Sequence, residues 1–161
     1  MKRFWEWKGH AFVALPIRLY LAYVFIIACL HKIADPGMFA VDVATYGILP
    51  LSLINFTAIA LPWVELLAGI MLVLGVKSRA AALMVVGMML MFIVALVIAL
   101  YQGLDMSCGC FASQAANGED PISYKTVLRD LGWLALAVWV VLFDASPIGV
   151  ERFRKERRQH A

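Results

Sequence analysis

The chain has 161 residues, of which 63% are hydrophobic and only 16% charged. Soluble domains carry about 45–50% apolar and about 25% charged residues, so an ordinary water-soluble fold of this length is excluded and a membrane protein is the default. The formal net charge of +3 comes from basic residues gathered at the chain ends and in one short turn, which offers no nucleic-acid partner a surface.

Residues 1–10 form a tail with Lys2, Arg3 and Lys8. The first apolar stretch, about 11–33, is long enough to cross the hydrocarbon core as a helix. It contains Arg18 and, near its far end, Cys29. The run Ile26-Ile27-Ala28-Cys29 approaches the signature that precedes a lipidated cysteine. Pro16 and Arg18 interrupt the stretch before it, and cleavage would leave three spans, so Cys29 reads as a small apolar-like residue in the helix. Next, Asp35-Pro36-Gly37 is turn chemistry. The spacing of Met38, Phe39, Val41, Val43 and Tyr46 then predicts a short amphipathic helix at the membrane interface.

A second span covers about 51–76, opened by Pro50 and carrying one charge, Glu65, three residues after Pro62. A turn with Lys77 and Arg79 leads into a third span, about 80–100, which has no charge. Its methionines (Met84, Met88, Met89 and Met91) resemble a copper box, but they lie on an all-round apolar helix, where packing is the simpler reading. Asp105-Met106-Ser107-Cys108-Gly109-Cys110-Phe111 follows. The fourth span, about 122–143, starts with Lys125, Arg129 and Asp130 and ends in residues 144–161, a basic tail. The reading is an all-α, four-transmembrane-helix bundle whose membrane domain is residues 11–143.

Basic residues favour the cytoplasmic side. The two tails and the Lys77–Arg79 turn share one side of a four-span protein, so both termini are expected inside. The loops bearing the short helix and the two cysteines are then outside. In a bacterium this is the inner membrane, with Cys108 and Cys110 on its oxidising face, where disulfides persist.

One residue apart, Cys108 and Cys110 can bridge within the Cα separation of about 4.4–6.8 Å that a disulfide allows. Gly109 supplies backbone freedom. The strain of so small a ring makes its disulfide labile and oxidising. Arg129, near the level of this loop, is placed to lower a thiol pKa. Two other readings stay open. Cys29, His31, Cys108 and Cys110 make a four-ligand set suited to zinc or copper. Alternatively, the cysteines are inert packing. Within the membrane, Arg18 and Glu65 are at similar estimated depth, and pairing them as a structural ion pair avoids two unpaired charges.

The order of "HKIADPGMFA", "LPWVELLAGIMLVLGVKSRAAAL", "CGCF" and "ISYKTVLRD" resembles the MauE/DoxX family of redox-associated membrane proteins, over residues 17–143. One departure is Ala112 after Phe111, where family members often have glycine. The resemblance implies a four-helix integral membrane protein linked to periplasmic disulfide chemistry or to maturation of redox proteins. The function expected is that of a membrane partner in periplasmic thiol–disulfide exchange, with a thiol–disulfide oxidoreductase as the candidate enzyme class. Its candidate catalytic residues are Cys108, Cys110 and Arg129, its partner a thioredoxin-like protein or membrane redox complex, and its candidate cofactor a quinone. A metal-binding membrane protein and a non-catalytic subunit of a redox complex are the alternatives.

Overall fold

The computed structural model describes residues 9–103 and 124–144. Cys108 and Cys110 lie outside the described residues, as do both tails. The described part is all-helical: α1 (Gly9–Ala34), α2 (Pro36–Thr45), α3 (Leu51–Leu74), α4 (Ser78–Tyr101) and α5 (Tyr124–Phe143). Four of these are long and apolar enough to span a bilayer: Val13–Ala34 within α1, then α3, α4 and α5.

Small residues and caps decide how the helices join. Asp35 caps α2 by accepting the Met38 N–H at 3.0 Å, which satisfies one of the amides a helix start leaves free. Pro50 precedes α3 in extended conformation. Gly75 ends α3 with φ 65° and donates its N–H to the Met71 carbonyl, the left-handed stop that glycine makes cheaply. Lys77 also has positive φ, 45°, so the Gly75–Lys77 turn reverses the chain within three residues. Arg79 then donates from Nε to the Val141 carbonyl at 3.0 Å, binding the start of α4 to the end of α5.

α1 packs chiefly on α3 and α4 on α5, with α1 also against α5 and α2 against α3. The core between them is made of Leu21, Ala22, Phe25, Leu72, Val85 and Val140 with several alanines. Lipid-facing positions remain apolar, as Tyr23, Phe56, Val94 and Leu128 show. Close approach of α1 and α3 depends on Gly69, where an added Cβ would lie 2.8 Å from Ile26 Cγ1. Small residues at such crossings are the usual route to tight helix packing in lipid.

The amphipathic helix expected after the first span is α2. It turns Phe39 inward, 5% exposed, and leaves Met38 and Val41 outward. Tyr46, just beyond its end, is buried against Phe92 of α4 in an edge-to-face contact, centroids 6.4 Å apart.

Candidate functional site

Among the described residues, five charged side chains are buried: Arg18, Lys32, Glu65, Asp130 and Asp144. They form two groups at opposite ends of the bundle. Arg18 of α1 pairs with Asp144, just past α5, at 3.3 Å, with both side chains 2% exposed. Lys32, in the last turn of α1, donates to both oxygens of Glu65 in α3, at 2.9 and 3.0 Å.

The expected Arg18–Glu65 pair is therefore corrected: each residue has another partner. The depth estimate assumed that neighbouring spans start at the same level. In the fold Lys32, close to the end of α1, meets Glu65 well inside α3, so α3 is offset along α1. Lys32 bends back toward the helix centre, as helical side chains do, and meets Glu65. Sequence reasoning placed Lys32 in an outer loop and Asp144 in the tail. One pattern was available: Arg18 to Lys32 and Asp130 to Asp144 are both fourteen-residue steps. In antiparallel helices, a pair joining 18 to 144 sets 32 roughly level with 130.

The structure shows this juxtaposition. A cavity of about 50 Å³ lies between α1, α3, α4 and α5, with Lys32, Glu65, Asp130, Trp133 and Phe92 on its wall. Asp130 is 1% exposed. Its Oδ1 accepts from Arg129 Nε at 3.2 Å, while its Oδ2 has no hydrogen-bond partner among the described residues. A second, wholly different space of about 350 Å³ opens between α2, α3 and α4 and is almost entirely apolar, with Asp42 and Tyr46 as its polar borders. Leu61, Met91 and Phe92 line both. Burial pushes the Asp42 carboxyl above its usual range, opposed by the nearby His31 and Lys32. Burial and the charges of Asp42 and Asp130 push the Tyr46 phenol upward, so it stays a protonated donor.

The residues singled out from sequence fall as follows. Arg129 is partly exposed, hydrogen-bonded to Asp130 and stacked 4.8 Å above the Trp133 ring, five residues into α5 from its junction with the cysteine-bearing segment. Cys29 is fully buried and its thiol donates to the Ile26 carbonyl at 3.1 Å. His31 is half-buried. Two residues apart on a helix, Cys29 and His31 face different ways, which sets them poorly for one shared metal. Met89 is core, Met84 and Met88 pack against the core, and Met91 faces outward.

This is a multi-pass membrane protein with a small cavity between its helices that three charged side chains line. It belongs to the MauE family: the family model described as "Methylamine utilisation protein MauE" matches residues 10–143. A relative from Paracoccus denitrificans, "Methylamine utilization protein MauE", is 33% identical over 124 residues, covering 76% of this chain and 64% of the relative. The chain thus spans just under two thirds of that curated relative's length. No solved structure matches.

Proposed function

We propose that this chain is a membrane partner in thiol–disulfide exchange that matures redox proteins, with Cys108 and Cys110 as the reacting pair on the outer face of a bacterial inner membrane. The observation that carries the reading is the Cys-Gly-Cys motif between the last two spans of a MauE-family protein. The family's description as a methylamine utilisation protein supports a maturation task for this chain.

A thiolate of a thioredoxin-like partner attacks one sulfur of the Cys108–Cys110 disulfide. That S–S bond breaks, a mixed disulfide forms, and the other cysteine leaves as a thiolate. The partner's second thiolate then attacks the mixed bond, leaving the partner oxidised and both cysteines of this chain reduced. A two-electron acceptor of the quinone class, taking two electrons and two protons, restores the disulfide. Arg129 steadies thiolate charge at the junction with α5.

In the reverse exchange one cysteine of this chain attacks the disulfide of an oxidised partner and its neighbour resolves the mixed disulfide, so replacing the resolving cysteine alone removes that step. One of the two variants Cys108→Ser and Cys110→Ser, the one that lacks the resolving cysteine, is expected to trap a covalent complex, seen on a non-reducing gel and lost on reduction, while Cys29→Ser has little effect. Fully reduced, unreactive thiols in oxidising native membranes, with both serine variants functional, would reject the reading. Stoichiometric zinc or copper on purified protein would move the site to metal binding. Orientation is checked with a membrane-impermeant thiol reagent, which is expected to label Cys110 in intact, reduced spheroplasts; labelling only after lysis inverts the topology.

A further inference from the structure

In the sequence Glu65 is the one acid of its span, and the third span has none. The fold supplies a second. Asp130 borders the same cavity as the Lys32–Glu65 pair, although 65 residues of chain separate the two acids. We propose that this chamber is a hydrated, one-sided proton-transfer site in which the Asp130 carboxyl takes up and releases the proton.

Three observations carry it. The first is the orphan oxygen. Leaving a buried acceptor unpaired costs about 1–3 kcal/mol, more when it is charged, and Asp130 Oδ2 has no protein partner among the described residues. A water molecule or a bound proton supplies what is missing. The second is space. A water needs about 10–15 Å³ of such volume and two to four polar partners, and the chamber has about 50 Å³. Lys32 gives two of its N–H groups to Glu65 and sits 5.0 Å above the Phe39 ring, so the ammonium holds a positive charge on the wall that Asp130 shares.

The third is direction. Asp130 is six residues into α5 from Tyr124, about 9 Å at ~1.5 Å per residue, toward the end where the 104–123 segment joins the bundle. In the other direction Leu21, Phe25, Leu72, Val85 and Val140 fill the core before Arg18 and Asp144 are reached. The proton therefore exchanges only with the loop end. The transfer is the reversible step carboxylate plus hydronium to carboxylic acid plus water, and it needs no redox partner. Its electrostatic surroundings are Lys32 from α1, Asp42 and Tyr46 from the α2 region, Glu65 from α3 and Arg129 beside it on α5; the α4 wall contributes apolar Met88, Met89 and Phe92.

This inference does not rest on the thiol reading, since no cysteine is among the described residues that line the chamber. The test is infrared difference spectroscopy of the full chain in nanodiscs of zwitterionic phospholipid, titrated between about pH 3 and about pH 9, a range that begins below the ordinary carboxyl pKa of about 4. A carboxylic-acid carbonyl band is expected to titrate in the wild type, shift in D₂O, vanish in Asp130→Asn and reappear at a shifted frequency in Asp130→Glu. The Cys108→Ser/Cys110→Ser double variant is expected to keep it. If Asp130→Asn does not fold, comparison of Asp130→Glu with the wild type still assigns the band. An identical spectrum in wild type and the Asp130 variants overturns the proposal, as does the absence of any titrating carboxyl. Proteoliposomes under a pH gradient are expected to leak protons no faster than protein-free vesicles; a leak abolished by Asp130→Asn overturns the one-sidedness.

Discussion

The two ends of the bundle solve the same problem differently. At the terminal end, Arg18 and Asp144 meet through one 3.3 Å contact, sealed on both sides. At the loop end, Lys32 and Glu65 share two bonds, at 2.9 and 3.0 Å, and stand at a cavity with a second acid on its wall. The first arrangement is a lock, an ion pair between two buried side chains. The second leaves polar atoms and space unspent, which is what a site requires. A buried ion pair is thus uninformative about function until its surroundings are known.

The largest effect should come from breaking the loop-end pair. Glu65→Gln strands a lysine in low dielectric, and removing one partner of a buried pair costs about 3–5 kcal/mol. Thermal unfolding in detergent is expected to show a large drop in midpoint. The double variant Lys32→Met/Glu65→Met should recover most of it, because apolar replacements of a buried pair are often neutral or stabilising. A double variant as unstable as Glu65→Gln alone would mean that the charges organise more than each other.

Asp144→Asn probes the lock. Arg18 then has one fewer charged partner, but it lies nearer the bundle end and can reach toward water, so the expected loss is about 1–3 kcal/mol. The comparison sharpens if this variant leaves thiol exchange and the titrating carboxyl intact. Loss of either would make the two ends one coupled system. Gly69→Ala tests the helix contact that holds them in register: Ile26 must shift, at about 1–2 kcal/mol of overpacking, measured by the same unfolding assay.

The smallest effect is on pH. Asp42 has a folded-state pKa raised by burial, so the folded protein binds more protons than the unfolded chain. Stability then falls as pH rises from the unfolded value, about 4, through the raised one. Asp42→Asn should flatten that slope by a fraction of a kcal/mol, visible as a weaker pH dependence of the unfolding midpoint.

The four spans and the short interfacial helix were legible because hydrophobic runs near 20 residues and the Asp35-Pro36-Gly37 turn act locally. The charge pairing was not. It depends on helix offset, which is set by where α1 ends and by how α2 and Gly69 seat it on α3, and no local signal encodes that. Lys32 looked like a loop residue because it follows the apolar run, yet its long side chain bends back into the bundle. Asp130 looked like a counter-ion for Arg129, which it is at Oδ1; its role on the chamber wall emerges only when α1 and α3 are brought beside it.

The wiring of these pairs also orders the chain's assembly in time. Lys32 and Glu65 are 33 residues apart, Arg18 and Asp144 are 126. At a synthesis rate of about 5–20 residues per second, the first pair is available within roughly 2–7 s and the second only after roughly 6–25 s. During that interval the opening helix carries an arginine with no Asp144 to meet. Pairing at the loop end can thus precede the synthesis of α5, which then closes on α1.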